Sequence, residues 1–196
     1  GRPVEIEVDM YGSGSMVRDV IMVGMPDTAV KESRERIKSA LVNSGFGFPS
    51  KSVTINLAPA NVRKEGAGFD LPVAMAILGA MGTVSRCGDH LLAGELSLDG
   101  GLRPIRGALS IAVCAQRQGL KGLIVPRENA AEAAVVEGLS VYGLSNLSEA
   151  VALLNKPEAF TPLAPSHSEA ARLAQDAALD FIHDRGQSAT TRSLEV

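Results

Sequence analysis

The chain has 196 residues, a net charge of −3 and an apolar share of 45%, with no tryptophan. That suits one domain of ordinary size plus an extension, its core packed by Ala, Val, Leu and Ile in closely spaced α/β layers. The charge excludes whole-chain electrostatic attraction to nucleic acid or membrane, no apolar run reaches the ~20 residues that span a bilayer, and no signal peptide is visible.

Residues 4–10 alternate as Val4-Glu5-Ile6-Glu7-Val8-Asp9-Met10, the pattern of a half-buried strand. The abrupt opening on a strand reads as a trimmed first strand. Tyr11 to Ser15 reads as a turn and 17–23 as a second strand, so the two are expected as a hairpin or neighbouring pair. Gly12 and Gly14 lack the GxxxxGK[ST] spacing of a phosphate loop.

Pro26-Asp27 is expected to cap a helix over 28–43, closed by Gly45. Its core stripe is Val30, Ile37, Leu41 and Val42. Lys31, Glu32, Arg34, Glu35, Arg36 and Lys38 form a mixed-sign outer face able to pair along the helix.

The organising stretch is 52–82. Val53, Ile55 and Leu57 alternate with Thr54 and Asn56 in a strand, and the charged, glycine-bearing loop 63–68 follows. A helix opens at Asp70, a suitable N-cap, with Pro72 in its first turn. It is apolar on nearly every side, so it is a buried helix.

Next come a strand over 91–98, the turn Asp99-Gly100-Gly101 and a return over 102–105. Residues 107–118 form a second apolar helix closed by Gly119. A buried strand over 122–125, a helix from Pro126 through Val136 and a strand over 139–142 follow. Asn146 or Ser148 caps a last helix ending near Leu154. This alternation argues α/β layering. Pro157, Pro162 and Pro165 mark 156–168 as a linker. Residues 169–196 are polar and Ala-rich, and read as the beginning of another domain.

Cys87 and Cys114 fit no disulfide framework or metal spacing, as expected of idle thiols in a reducing cytosol. His90, His167 and His183 lie in loop, linker and extension without a ligand pattern, so no metal site is expected.

Four long segments, GMPDTAVKESRERIKSAL (24–41), TINLAPANVRKEGAGFDLPVAMAIL (54–78), LAGELSLDGGLRPIRGAL (92–109) and VPRENAAEAAVVEGL (125–139), resemble the N-terminal domain of the YifB/ComM group. These are bacterial magnesium-chelatase-like AAA+ ATPases. The resemblance covers residues 1–155 and implies that LDFIHDRGQ, within 169–196, opens a truncated AAA+ module. ATP and Mg²⁺ belong to that module, and no GxxxxGK[ST] occurs in the chain.

The family's N-terminal domain is similar to the proteolytic domain of Lon, which implies the ribosomal protein S5 domain 2-like α/β fold. Lon uses a serine nucleophile and a lysine that takes its proton. Carried over without gaps, the serine position falls on Gly68 and the lysine position on Leu109. Neither residue supplies the group, so the resemblance implies a domain without catalytic residues. Ser110 and Lys64 are the nearest substitutes by sequence, each out of frame. Ser33, Ser39 and Ser97 read as ordinary helix, strand-edge and turn residues.

By the same resemblance, the domain serves a cytoplasmic ring-shaped motor, hexameric in the full protein, that remodels DNA by branch migration. Its partners are its own AAA+ module, neighbouring subunits and DNA, with no membrane. Arg63, Lys64, Arg103 and Arg106 sit in exposed-looking places and are the candidates for phosphate contact. They can equally pair with Glu65, Glu95 and Asp99. No aromatic platform offers base stacking, so contact would be to the backbone.

Overall fold

In the computed structural model, residues 3–12, 20–85 and 89–165 are described. Cys87, His167, His183 and the expected start of an AAA+ module lie outside them. The fold is α/β, with helices layered on small sheets.

Strands β1 (Glu5–Tyr11), β2 (Val20–Val23) and β3 (Ser52–Ala58) form one sheet in the order β1-β3-β2. β3 runs antiparallel to β1 and parallel to β2, so Val8, Ile55 and Met22 stand in one row on the inner face. The expected pairing of the first two strands is thus corrected: each flanks β3. A strand 30 residues on inserts between them because its inward face, Val53, Ile55 and Leu57, is wholly buried, and only a central strand is covered on both edges.

Helix α1 (Thr28–Asn43) starts where Asp27 Oδ1 accepts the Val30 N–H at 2.8 Å. Val30, Ile37 and Leu41 are buried as expected, joined by Ser33 and Ala40, whereas Val42 is half exposed. Of its outer face, Arg36 departs from the expected pairing along the helix and reaches across to α2 (Asp70–Ala80). Seven of the eleven α2 residues are buried, which is the all-round apolar helix the composition predicts. Asp70 itself is no N-cap. It is the first helical residue, after a short 3-10 turn over Ala67–Phe69, and its side chain leaves the helix end.

The expected strand over 91–98 breaks at Ala93-Gly94 into β4 (His90–Leu92) and β5 (Glu95–Leu96). Gly94 donates to the Gly68 carbonyl and accepts from the Leu71 N–H, both at 3.0 Å, so its backbone is taken up by the start of α2. A Cβ there would press on Leu102. β5 pairs with β6 (Leu102–Arg103) in a two-stranded hairpin. Helix α3 (Ala108–Arg117) follows, then β7 (Gly122–Pro126), α4 (Arg127–Ala133), β8 (Ser140–Leu144) and α5 (Leu147–Asn155). The cap of α5 is Asn146, whose Oδ1 accepts from the Glu149 N–H at 2.9 Å.

β4, β7 and β8 form a parallel sheet with β7 in the middle and all five of its residues buried. Leu123 and Val125 face a cluster built from α3 and α4, while Ile124 faces the larger core of α1, α2 and α5. Beyond α5 the segment expected as a linker folds back: Phe160 packs on the main core and Leu163 donates to Val141 at 2.8 Å. No described helix is long and apolar enough to cross a membrane.

Candidate functional site

The loop before α2 is built on Lys64. Its side chain is 1% exposed, and its Nζ donates to the carbonyls of Gly24, at 2.7 Å, and Pro59. The backbone joins the same loops: Asp27 N–H to Lys64 O at 3.0 Å, Lys64 N–H to Met25 O at 3.2 Å. Gly66 N–H reaches Asp27 Oδ2 at 3.3 Å. Lys64 is therefore an internal strut between the β2–α1 and β3–α2 loops. Its expected exposure is corrected: an ammonium on a long stem turns inward because carbonyls of two loops accept from it.

Gly24 and Gly66 allow this crossing. Both have positive φ, and a Cβ on Gly24 would run into the Leu57 carbonyl. Gly68, where the resemblance places a nucleophile, is half buried, with only Ile105 Cγ2, at 3.9 Å, near a Cβ built on it. A serine there has room. Leu109 lies in the first turn of α3, packed on the α3/α4 cluster, its N–H donated to Glu132 Oε1 at 3.0 Å. Ser110 is exposed on α3 beside Val113, Cys114, Arg117 and Gln118. Lys64 and Ser110 are not brought together, since the lysine's two acceptors are backbone oxygens.

At the mouth of this loop Arg36 holds Asp70 with a fork, Nε to Oδ2 at 2.9 Å and Nη2 to Oδ1 at 3.1 Å. Asp70 is fully buried and also accepts the Leu96 N–H at 3.1 Å. One carboxylate thus ties α1, α2 and β5. Burial pushes its pKa above the usual carboxylate range, offset in part by the Arg36 and Leu96 hydrogen bonds. Arg36 is held above its usual range chiefly by its hydrogen bond to Asp70.

The remaining basic candidates separate. Arg63 is exposed and pairs with Glu65 at 3.1 Å. Arg103 and Arg106 are exposed, and among the described residues neither forms an ion pair. Glu95 stands opposite Arg103 in the β5–β6 register without bonding it. Asp99 is occupied by the Ser97 hydroxyl and, at 3.0 Å, the Gly101 N–H, which hold its pKa below the usual value.

Between the two arginines, Ile105 is clamped by a buried amide: its N–H donates to Asn129 Oδ1 at 2.9 Å and its carbonyl accepts from Asn129 Nδ2 at 2.8 Å. The sequence places Asn129 at the start of the helix expected through Val136 and Glu132 within it, but gives no sign of these side-chain bonds beyond the spacing of three that puts both on one helical face. Among the described residues no group of three or more His, Cys, Asp or Glu side chains is placed to hold a metal. His90, expected in a loop, opens β4 with its ring 5.9 Å from Tyr142.

A family model described as subunit ChlI of Mg-chelatase matches residues 6–129. The chain is 39% identical over 197 residues to the protein YifB of Salmonella typhimurium, covering 99% of this chain and 37% of that protein. It is 36% identical over 181 residues to competence protein ComM of Haemophilus influenzae, covering 89% of this chain and 35% of ComM. Lon protease of Rhizobium meliloti is 25% identical over 161 residues, 77% of this chain and 20% of that enzyme. The chain spans little more than a third of the length of the YifB and ComM relatives.

Proposed function

The chain belongs to the family described as subunit ChlI of Mg-chelatase, and on that footing we propose that it is a non-peptidase, Lon-like domain of a ComM/YifB-type AAA+ ATPase. In this reading it has the S5 domain 2-like fold over residues 1–155, helps the motor form a hexameric ring and engages DNA during ATP-driven branch migration in natural transformation. ATP and Mg²⁺ act in the AAA+ module. No phosphate-loop motif occurs within these 196 residues.

The observation that carries the reading is the pair Arg103 and Arg106, three residues apart on one braced turn, exposed and without an ion-pair partner among the described residues. Exposed guanidinium groups suit phosphate oxygens, and each contact releases a counterion. Fluorescence anisotropy of the 196-residue chain with duplex, single-stranded and four-way DNA over a salt series tests it. Binding that weakens with salt, and loses about 1.8 from its slope on log[salt] in Arg103→Ala/Arg106→Ala, is the expected result for B-form duplex. Salt-insensitive or absent binding defeats the DNA contact.

A second reading, a protein-interaction module without DNA contact, is favoured by Ile21, Val23 and Met25, which are exposed along the edge strand β2 and the residues after it. A third, residual peptidase activity, is tested with casein and a serine-reactive fluorophosphonate probe. Stoichiometric labelling would restore it. Gly68 at the nucleophile position and Leu109 at the lysine position argue against it.

A further inference from the structure

We propose that α4 is a bracket for the arginine turn, with Asn129 the positioning residue that holds Arg103 and Arg106 in register for the phosphates of a DNA backbone. The proposal rests on the DNA-contact reading above.

Arg103 is held in the β5–β6 ladder opposite Glu95, but beyond it the turn has little of its own to hold it. Pro104 has no N–H to donate, and Gly107 takes a left-handed φ of 79° just before α3 begins. Ile105 is the residue whose backbone can be held from outside, and Asn129 holds both of its polar groups. A side-chain amide that accepts the N–H and donates to the C=O of one residue replaces a neighbouring strand. Three residues further along α4, Glu132 accepts the Leu109 N–H. Residues i and i+3 share a helical face, so one face of α4 grips the chain on either side of Arg106.

Ile105 faces inward over Gly68, with its Cγ2 3.9 Å from the Cβ position there, while the residues before and after it, Pro104 and Arg106, are exposed. Asn129 is 6% exposed and contributes no charge to the surface. Its effect on a polyanion must therefore pass through the backbone that carries Arg103 and Arg106. Fixing that backbone in advance lowers the ordering cost of binding.

The test is a double-mutant cycle in the 196-residue chain, read by duplex-DNA anisotropy over a salt series and by thermal melting. Asn129→Ala should weaken binding about threefold to tenfold in the wild-type background, the scale of one lost net hydrogen bond. In the Arg103→Ala/Arg106→Ala background it should leave the residual binding unchanged, while lowering the melting temperature equally in both. If Asn129→Ala does not fold, Asn129→Gln takes its place, because one added methylene displaces the same amide from Ile105. An Asn129 effect of equal size in both backgrounds, or no effect in either, overturns the bracket and leaves the arginine contact standing. If the arginine pair changes neither affinity nor salt slope, or the wild type shows no salt-sensitive binding, both fall.

Discussion

Arg36 and Asp70, separated by 34 residues in the chain, meet through two parallel hydrogen bonds, and the carboxylate has no exposed surface. The pair sets the angle at which α2 leaves the loop that carries Gly68, because Asp70 is the first residue of that helix. Arg36→Ala leaves a buried carboxylate with the Leu96 N–H as its remaining partner. The expected loss is about 3 kcal/mol by urea denaturation, with the slope on urea unchanged. Asp70→Asn, which keeps the shape and removes the charge, should cost less.

Asp70 also has an unusual pH signature. Its pKa is raised in the folded state, so from about 3.8 up to that raised value the native chain holds more of this proton than the unfolded one. This group's contribution to stability therefore grows as pH falls through that window and is withdrawn as pH rises. Subtracting the pH profile of Asp70→Asn from that of the wild type should give a difference with this sign.

His90 has the opposite arrangement. Burial lowers its pKa below 6.5, against the smaller raising influence of Asp89, and Lys121 adds to the lowering. The unfolded state then binds the proton first as pH falls, and stability present above 6.5 is lost through the folded pKa. His90→Phe, which keeps a ring beside Tyr142, should flatten the melting temperature between pH 6.5 and the acid limb.

Lys64 and Arg106 should behave as mirror images. Lys64→Met removes the amine from the half-buried Gly24 carbonyl and from Pro59, whose oxygen keeps the Val62 N–H, expected to cost about 1–3 kcal/mol, and should leave the salt slope of DNA binding unchanged. Arg106→Ala should do the reverse: little change in melting, and a shallower slope by about 0.9. Chemical denaturation and anisotropy on the same samples separate the two.

Gly24→Ala should be severely destabilising, about 3 kcal/mol or more, because the added methyl group meets the Leu57 carbonyl at a φ of 95°. Gly68→Ser should be nearly neutral in stability, since it meets only Ile105 Cγ2. It should stay unlabelled by a fluorophosphonate, because the nearby Lys64 amine is committed to the Gly24 and Pro59 carbonyls. Labelling of that single variant would show that another base serves the site.

Local chemistry was legible in the sequence wherever it stays local. The Asp27 cap of α1, the Asn146 cap of α5, the buried α2 and the continuous apolar β7 all follow from residues within one turn or one strand. What escaped depends on partners far along the chain. Lys64 looks like a surface lysine beside Arg63 until Gly24, 40 residues earlier, supplies an acceptor from its backbone, which carries no side-chain signature. Asp70 reads as a cap because its rival partner sits on another helix. β3 inserts between β1 and β2 because strand order is set by which face must be covered, a global demand that alternation within each strand does not encode. At the candidate site, the positions of Gly68 and Leu109 came from resemblance, and the Asn129 clamp on Ile105 became visible only in three dimensions.

β7 carries a consequence for how the molecule comes apart. Leu123 and Val125 are claimed by one cluster and Ile124 by the other, so neither cluster can melt without stripping one side of the same strand. The two halves are welded at a shared seam, and heating should yield a single calorimetric peak whose van't Hoff and measured enthalpies agree. Ile124→Ala should move that peak whole, never split it.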